Sequence, residues 1–315
     1  MNVAETIKSN TRRHLEQGGL FYGQCVSAVG WIGGTVPEMT EEEGIVELPT
    51  SDSSNSGIVC GAAVAGRRPI YAIRYQGFMS YNATSILNYA AKSKEMWKKP
   101  CPVFVRAIGM EGSIGPVATG MHHSMVMRMP GTIVACPMTP SEWQDVWDFF
   151  LENDDPVYCS EHRKSFGIDY NIEDMHVNKW VNISPNCGYF TRSTDKPKVT
   201  IFAIGAARLE ALKACEIFKN YHRHINFHFV NVVWLKPLRL PEEAIRHLTE
   251  SDFGIVIDSD YEICGASEHI ANYLMLKSKK PVYTLGLEDR TAGFADHCDN
   301  KTPSSERIVK HIMER

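Results

Sequence analysis

The chain has no C-x-x-C pair, and its nine cysteines are an odd number spread along the 315 residues. That excludes a disulfide framework and a small zinc fold, and leaves reduced thiols in a cytoplasmic protein as the expectation. Charge of one sign is missing too. Thirty-three basic residues stand against 37 acidic ones, for a formal charge of -4, so no excess would hold a phosphate backbone or an anionic membrane, and neither nucleic acid nor membrane is expected as a partner. No apolar run reaches the ~20 residues of a membrane span. Residues 1–17 mix Glu5, Lys8, Arg12, Arg13 and Glu16 with few apolar residues, which is not the pattern of a signal peptide. Nucleotide fingerprints are absent as well: there is no G-x-G-x-x-G and no G-x-x-x-x-G-K-[ST], and Gly109, Gly112 and Gly115 are wrongly spaced for either. Nor is there a G-x-S-x-G elbow, the commonest signal of an α/β hydrolase.

What is present is an ordinary globular composition, 43% hydrophobic and 22% charged, in a chain long enough for two medium α/β domains. Apolar runs at 20–26, 45–48, 70–75, 103–106, 133–136 and 157–159 read as strands, with helical patterns between them. In 80–97, Ile86, Ala90, Ser93 and Trp97 share one helical face and Pro100 ends the pattern. Thr139-Pro-Ser-Glu142 is a capping box with proline at the first helical position. From Asn182 the periodicity breaks into turn-rich sequence, and then strand and helix patterns alternate again: strands at 199–204, 225–233, 254–257 and 282–285, helices at 206–221, 241–249 and 266–276. The expected fold class is α/β in two domains, residues 1–183 and 199–315 joined by a linker at 184–198, each a mostly parallel sheet flanked by helices.

Three places carry polar residues in apolar settings. In the loop 49–57, Asp52 precedes a small-residue helix, GIVCGAAVAG; Asp and Ser there suit helix capping as well as chemistry. Tyr75 and Phe78 fall at the carboxyl end of a strand, where open α/β sheets keep their ligand crevices, although either aromatic alone suits core packing. In Gly120-Met-His-His-Ser124, two adjacent imidazoles cannot share one face, so at most one points into a site. A further group, His222, His224 and His228, has no nearby Cys or carboxylate and reads as a helix end and the following strand.

In this order and this frame, these places resemble one family: the β subunit of the thiamine-diphosphate-dependent first component of 2-oxoacid dehydrogenases, pyruvate and branched-chain types included. The resemblance covers nearly the whole chain. Its anchors are Leu20-Phe-Tyr-Gly-Gln24, the GIVCGAAVAGRRP run at 57–69, the ungapped 70–92, His123-Ser124, Pro130-Gly131 through Pro140, Asp154-Asp-Pro-Val157 with Glu161-His162, and Leu235-Lys-Pro-Leu238. It implies a transketolase-like pyrimidine-binding domain followed by a transketolase C-terminal domain.

By that resemblance Asp52 takes the place of the family glutamate that hydrogen-bonds a pyrimidine nitrogen of thiamine diphosphate, a contact that favours the imino tautomer needed to form the ylide. Phe78 would stack on the pyrimidine, and His123, with His122 as its alternate in register, would face the substrate. Gln24 stands where the family has an acid near the cofactor, and Asn153 with Asp155 map to a monovalent-cation (K+) loop of some relatives. The family holds the diphosphate through Mg2+ and a Gly-Asp-Gly motif on another subunit, and no Gly-Asp-Gly occurs here. The implied partner is therefore an α subunit in an α2β2 assembly, with a lipoyl-bearing acyltransferase as a further one.

Several departures from the family go with these matches. Asp52 is shorter than glutamate by one methylene, about 1.5 Å of reach. Counting back from Gly57 instead of forward from Pro49 selects Asn55, which is not an acid. The segment from His123 to Pro130 is also shorter than in the family. The leading expectation is decarboxylation of a 2-oxo acid with transfer of the acyl or aldehyde unit. The alternatives are half of a split transketolase, whose sugar phosphate would need bases such as Arg74, Arg106 and Arg128, and a non-catalytic subunit of the same fold.

Overall fold

The apolar runs become strands that are buried almost end to end, as strands covered by helices on both faces must be. The computed structural model describes residues 1–112, 114–169, 180–184, 187–191 and 196–315. They divide into two compact units, residues 1–110 with 125–169, and 111–124 with 170–315.

The first unit opens with α1 (Val3–Glu16), then β1 (Leu20–Gly23), β2 (Ile45–Glu47), α2 (Asp52–Val64) and β3 (Pro69–Ile73). Then come α3 (Met79–Ser85), a π-helical turn (Ile86–Ala90) and α4 (Ala91–Trp97). Lys98 ends this run in the left-handed conformation (φ 55°), just ahead of Pro100. After β4 (Phe104–Gly109) and β5 (Ile133–Ala135), α5 (Pro140–Glu152) starts on the Thr139 capping box, and β6 (Val157–His162) follows. The strands lie in the order β5-β6-β4-β3-β1-β2, every pair parallel. Parallel strands in a crossed order leave their carboxyl ends at one edge, the edge that bears Gln24, Tyr75 and Phe78.

The second unit holds β7 (Trp180–Ser184), β8 (Cys187–Thr191), β9 (Val199–Ile204), α6 (Ala207–Tyr221), β10 (Phe227–Val232) and α7 (Glu242–Glu250). It continues with β11 (Phe253–Tyr261), α8 (Ala266–Ser278), β12 (Val282–Leu287) and α9 (Ser305–Met313). Its sheet runs β12-β11-β9-β10-β8-β7, parallel except where β8 meets β10 and β7. Ile201, Phe218, Phe229, Ile255 and Ile308 meet in its core.

Three features depart from the expectation. The stretch read as linker contains β8, which pairs with β10; residues 185, 186 and 192–195 lie outside the described residues. Residues 111–124 belong to the second unit, where Met121 bridges Asp260 in parallel. The helix at the amino end was not expected, because the buried positions of α1 include Thr6, Asn10, Thr11 and His14 beside Val3 and Ile7. Among the described residues no helix is long and apolar enough to cross a membrane.

Candidate active site

Asp52 is the first residue of α2, and Ser51, the cap residue, makes no side-chain capping bond. The Asp52 carboxylate turns away from the helix amides: its Oδ1 accepts a hydrogen bond from Asn82 Nδ2 at 2.9 Å. The same Nδ2 donates to the Phe78 carbonyl at 2.9 Å, and Asn82 Oδ1 accepts from the Tyr71 hydroxyl at 2.8 Å. Asn82, fully buried on α3, thus ties the acid at the head of α2 to the turn carrying Phe78, while Tyr71 on β3 fixes the amide orientation. The capping reading of Asp52 gives way to a relay of buried hydrogen bonds ending in a half-buried acid.

Phe78 keeps part of its ring exposed and lies 6.0 Å from Tyr75 and 6.4 Å from Tyr81, centroid to centroid. A partly exposed ring flanked by two tilted aromatics is a surface on which a flat heterocycle can stack. Asn55, the alternative to Asp52, is wholly buried; its Nδ2 donates to the Pro49 carbonyl at 2.7 Å and closes the loop, while its Oδ1 has no hydrogen-bond partner. Gln24 follows β1 directly and is half-buried.

The two histidines part company. His123 is completely buried in the second unit, with Nε2 3.1 Å from Asp258 Oδ2 and 3.7 Å from Asp260 Oδ2. Ser124 donates to Asp260 from both its amide (2.9 Å) and its hydroxyl (2.7 Å), and the hydroxyl accepts from the Ala266 amide (2.9 Å). Burial raises the pKa of Asp260 against the opposing pull of His123. The His123 imidazole is thus held by two carboxylates inside the second unit. His122 is the partly exposed ring. It stacks on Tyr261 at 5.8 Å and 26°, and burial holds its pKa below the usual histidine value, with Asp260 pulling the other way.

The expected cation loop does not fit a cation. The Asn153 carbonyl accepts from Arg68 Nη1 at 2.6 Å, and Asp155 pairs with Lys94 at 3.6 Å. Its oxygens already face two cationic side chains. Arg106, one of the bases considered for a sugar phosphate, is also spent. It is buried on β4, bonded to both oxygens of Glu161 on β6 at 2.7 and 2.8 Å, and it donates to Thr35 Oγ1 at 3.0 Å.

Residues 28–167 match the family model of the transketolase pyrimidine binding domain, and residues 188–307 match that of the transketolase C-terminal domain. Over 329 residues the chain is 23% identical to the pyruvate dehydrogenase E1 component subunit beta of Staphylococcus epidermidis, covering 98% of this chain and 95% of that one. The chain belongs to the E1 β-subunit family. Another relative, the acetoin:2,6-dichlorophenolindophenol oxidoreductase subunit beta of Cupriavidus necator, is 32% identical over 136 residues, a match spanning 41% of this chain and 39% of that one. Among solved structures, a split gene transketolase described as an inactive beta4 tetramer superimposes with a TM-score of 0.72 at 15% identity, over 100% of this chain and 97% of that one.

E1 β subunits are thiamine-diphosphate-dependent, and the residues present suit the pyrimidine end of that cofactor: an anchored acid and a partly exposed aromatic ring, joined by one buried amide. Asn82 was the member missed in the sequence, where it is one polar residue in a helical pattern. Its signal would have been position, four residues after Phe78 on the face turned to the strand end.

Proposed function

We propose that the chain is the β subunit of a thiamine-diphosphate-dependent enzyme that decarboxylates a 2-oxo acid and passes on the acyl or aldehyde unit, with an active site completed by an α subunit. The Asp52–Asn82–Phe78 arrangement carries this reading. When bound, thiamine diphosphate supplies a nucleophilic carbanion and an electron sink for decarboxylation. Asp52 holds a proton at the pyrimidine nitrogen, Asn82 fixes the carboxylate and the Phe78 backbone together, and the Phe78 ring orients the heterocycle. His122, the imidazole with exposed surface, takes the substrate-facing role. Mg2+ and the diphosphate fall to the Gly-Asp-Gly motif of the α subunit, absent from this sequence.

The deciding experiment is calorimetric titration of thiamine diphosphate and Mg2+ into the chain alone and into its complex with the α subunit. Binding by the complex only is expected; a complex that binds no cofactor overturns the catalytic reading in favour of a structural subunit. Replacing the stacking ring, Phe78→Ala, should weaken cofactor binding about 3- to 10-fold, the worth of one aromatic pair. Unchanged affinity in the same titration would take the ring out of the site.

The partner reading has support on the surface. α2 and α3 pack together, and these helices with the π turn and α4 leave Ile58, Val64, Tyr81, Tyr89, Met96 and Trp97 between 49% and 61% exposed. Large apolar side chains grouped on adjoining helices are what a permanent subunit interface covers. Tyr89 stacks on Trp97 at 6.4 Å and 18°. Putting a charge there, Tyr89→Asp, is expected to weaken association with the α subunit about 30-fold or more, as loss of an interface hot spot does. Sedimentation of the mixed subunits checks this, and an unaltered heterotetramer would place the interface elsewhere.

The Arg106–Glu161 pairing weighs against the split-transketolase alternative, since it removes one of the three bases available for a sugar phosphate.

A further inference from the structure

His228 sits on β10 with both ring nitrogens buried and without a hydrogen-bond partner, in a side chain 5% exposed. A buried imidazole normally satisfies at least one nitrogen, because leaving such a group dry costs about 1–3 kcal/mol. The group facing it is another imidazole: His247 on α7 lies 3.9 Å away between ring centroids, the planes inclined at 33°. One turn further along α7, Glu250 brings an oxygen to 3.8 Å from His247 Nδ1. One donor atom from each of the three lies within 4.8 Å of the others.

The sequence separates these residues, and His228 alone showed no carboxylate nearby. The fold joins them by a specific tether. Ser251, just after α7, donates from Oγ to the His247 carbonyl at 2.9 Å, and its Oγ is 2.8 Å from that of Thr200. Thr200 is the residue of β9 that pairs in register with His228 on β10. The last turn of α7 is thereby pinned beside His228, with the ligand-type residues at i and i+3 on one face of the helix.

We propose that His228, His247 and Glu250 form a binding site for a zinc-class divalent transition-metal ion, with a fourth position open to water. Two imidazoles and one carboxylate are a borderline donor set that suits zinc and its neighbours and does not suit calcium or magnesium. Ligation takes the neutral imidazole, the form that burial favours in both rings. Burial pushes His228 down to about 3, helped by His247 and Arg246, and burial is also the main cause of the lowered His247 value, against the pull of Glu250 and Glu243. Tetrahedral ligation at about 2.0–2.1 Å requires donors some 3.3–3.5 Å apart. Glu250, its side chain 54% exposed, has the freedom to close in and leaves water access to the fourth position. The ion would satisfy one of the two dry nitrogens of His228 and clamp α7 to the sheet.

The test uses the full chain stripped with chelator and titrated with Co2+, followed by visible d–d absorption, and then with Zn2+ in competition. One equivalent of Co2+ in a low-symmetry site, displaced by Zn2+, is expected, together with a rise in unfolding temperature on adding Zn2+. Glu250→Gln, on the exposed side of the helix, should fold normally and weaken binding at least 10-fold; His228→Gln should abolish the absorption. Failure of Co2+ to bind at one equivalent, or binding unchanged in both variants, overturns the site. The proposal is independent of the cofactor chemistry, which this titration does not touch.

Discussion

Asp52→Asn is expected to lower 2-oxo acid turnover by the assembled enzyme about 10²- to 10⁴-fold, the usual worth of a positioned acid–base group. The substitution keeps the size of the side chain and an oxygen that can accept from Asn82, so the 2.9 Å contact holding the head of α2 to α3 survives. What it removes is the carboxylate that shares a proton with the pyrimidine nitrogen. Cofactor affinity should therefore fall far less than turnover, and the two readouts together separate a relay acid from a binding contact. Asp52→Glu supplies the control. It restores the family side chain and extends the reach by about 1.5 Å, and it should keep turnover within about 10-fold of the wild type, since the acid itself is retained. Turnover by Asp52→Asn within 3-fold of the wild type would remove Asp52 from the chemistry. Tyr71→Phe probes the same relay from its far end, by leaving Asn82 Oδ1 without its donor.

The sequence and the structure agree most closely where information is local. Apolar alternation located the strands, Thr139 and Glu142 located the start of α5, and Pro100 marked the limit of the long helical run. Asp52 and Phe78 stood out in the sequence because each follows a strand at the carboxyl edge of the sheet. What the sequence hid depends on partners distant in the chain. Asn82 meets Asp52 across 30 residues, and Arg106 meets Glu161 across 55. Arg106 read as a free base until the pairing of β4 with β6 placed a carboxylate on it. The adjacent histidines differ in burial, a difference no local signal foretold, since the two aspartates that hold His123 come from β11. His228 and His247 show the reverse case, a histidine with no ligand in its own neighbourhood that gains two from one helix.

Glu161→Gln is expected to destabilise the first unit by about 3–5 kcal/mol, because it leaves the Arg106 guanidinium charged and uncompensated in a dry interior. Both partners are essentially solvent-free, at 0% and 1% side-chain exposure, so water cannot replace the lost carboxylate. The pair also reaches beyond itself. Arg106 Nη2 donates to Thr35 Oγ1 at 3.0 Å, and Thr35 in turn donates to the Ile32 carbonyl at 2.8 Å. That second bond closes a left-handed turn in which Trp31 (φ 55°) and Ile32 (φ 52°) hold a conformation natural to glycine. Such residues cost about 1–2 kcal/mol each and persist only where their surroundings over-determine them. Loosening Arg106 therefore weakens the brace on a strained segment as well as one ion pair. In a unit of this size the loss corresponds to a fall of roughly 6–20 °C in its melting temperature, measurable by calorimetry on the isolated chain. Replacing both partners together, Arg106→Met with Glu161→Leu, removes the unpaired charge and should recover most of the stability. It also removes the Thr35 contact, so any deficit remaining in the double variant measures the brace on the turn. Equal melting temperatures for Glu161→Gln and the wild type would show the buried pair to be neutral to folding.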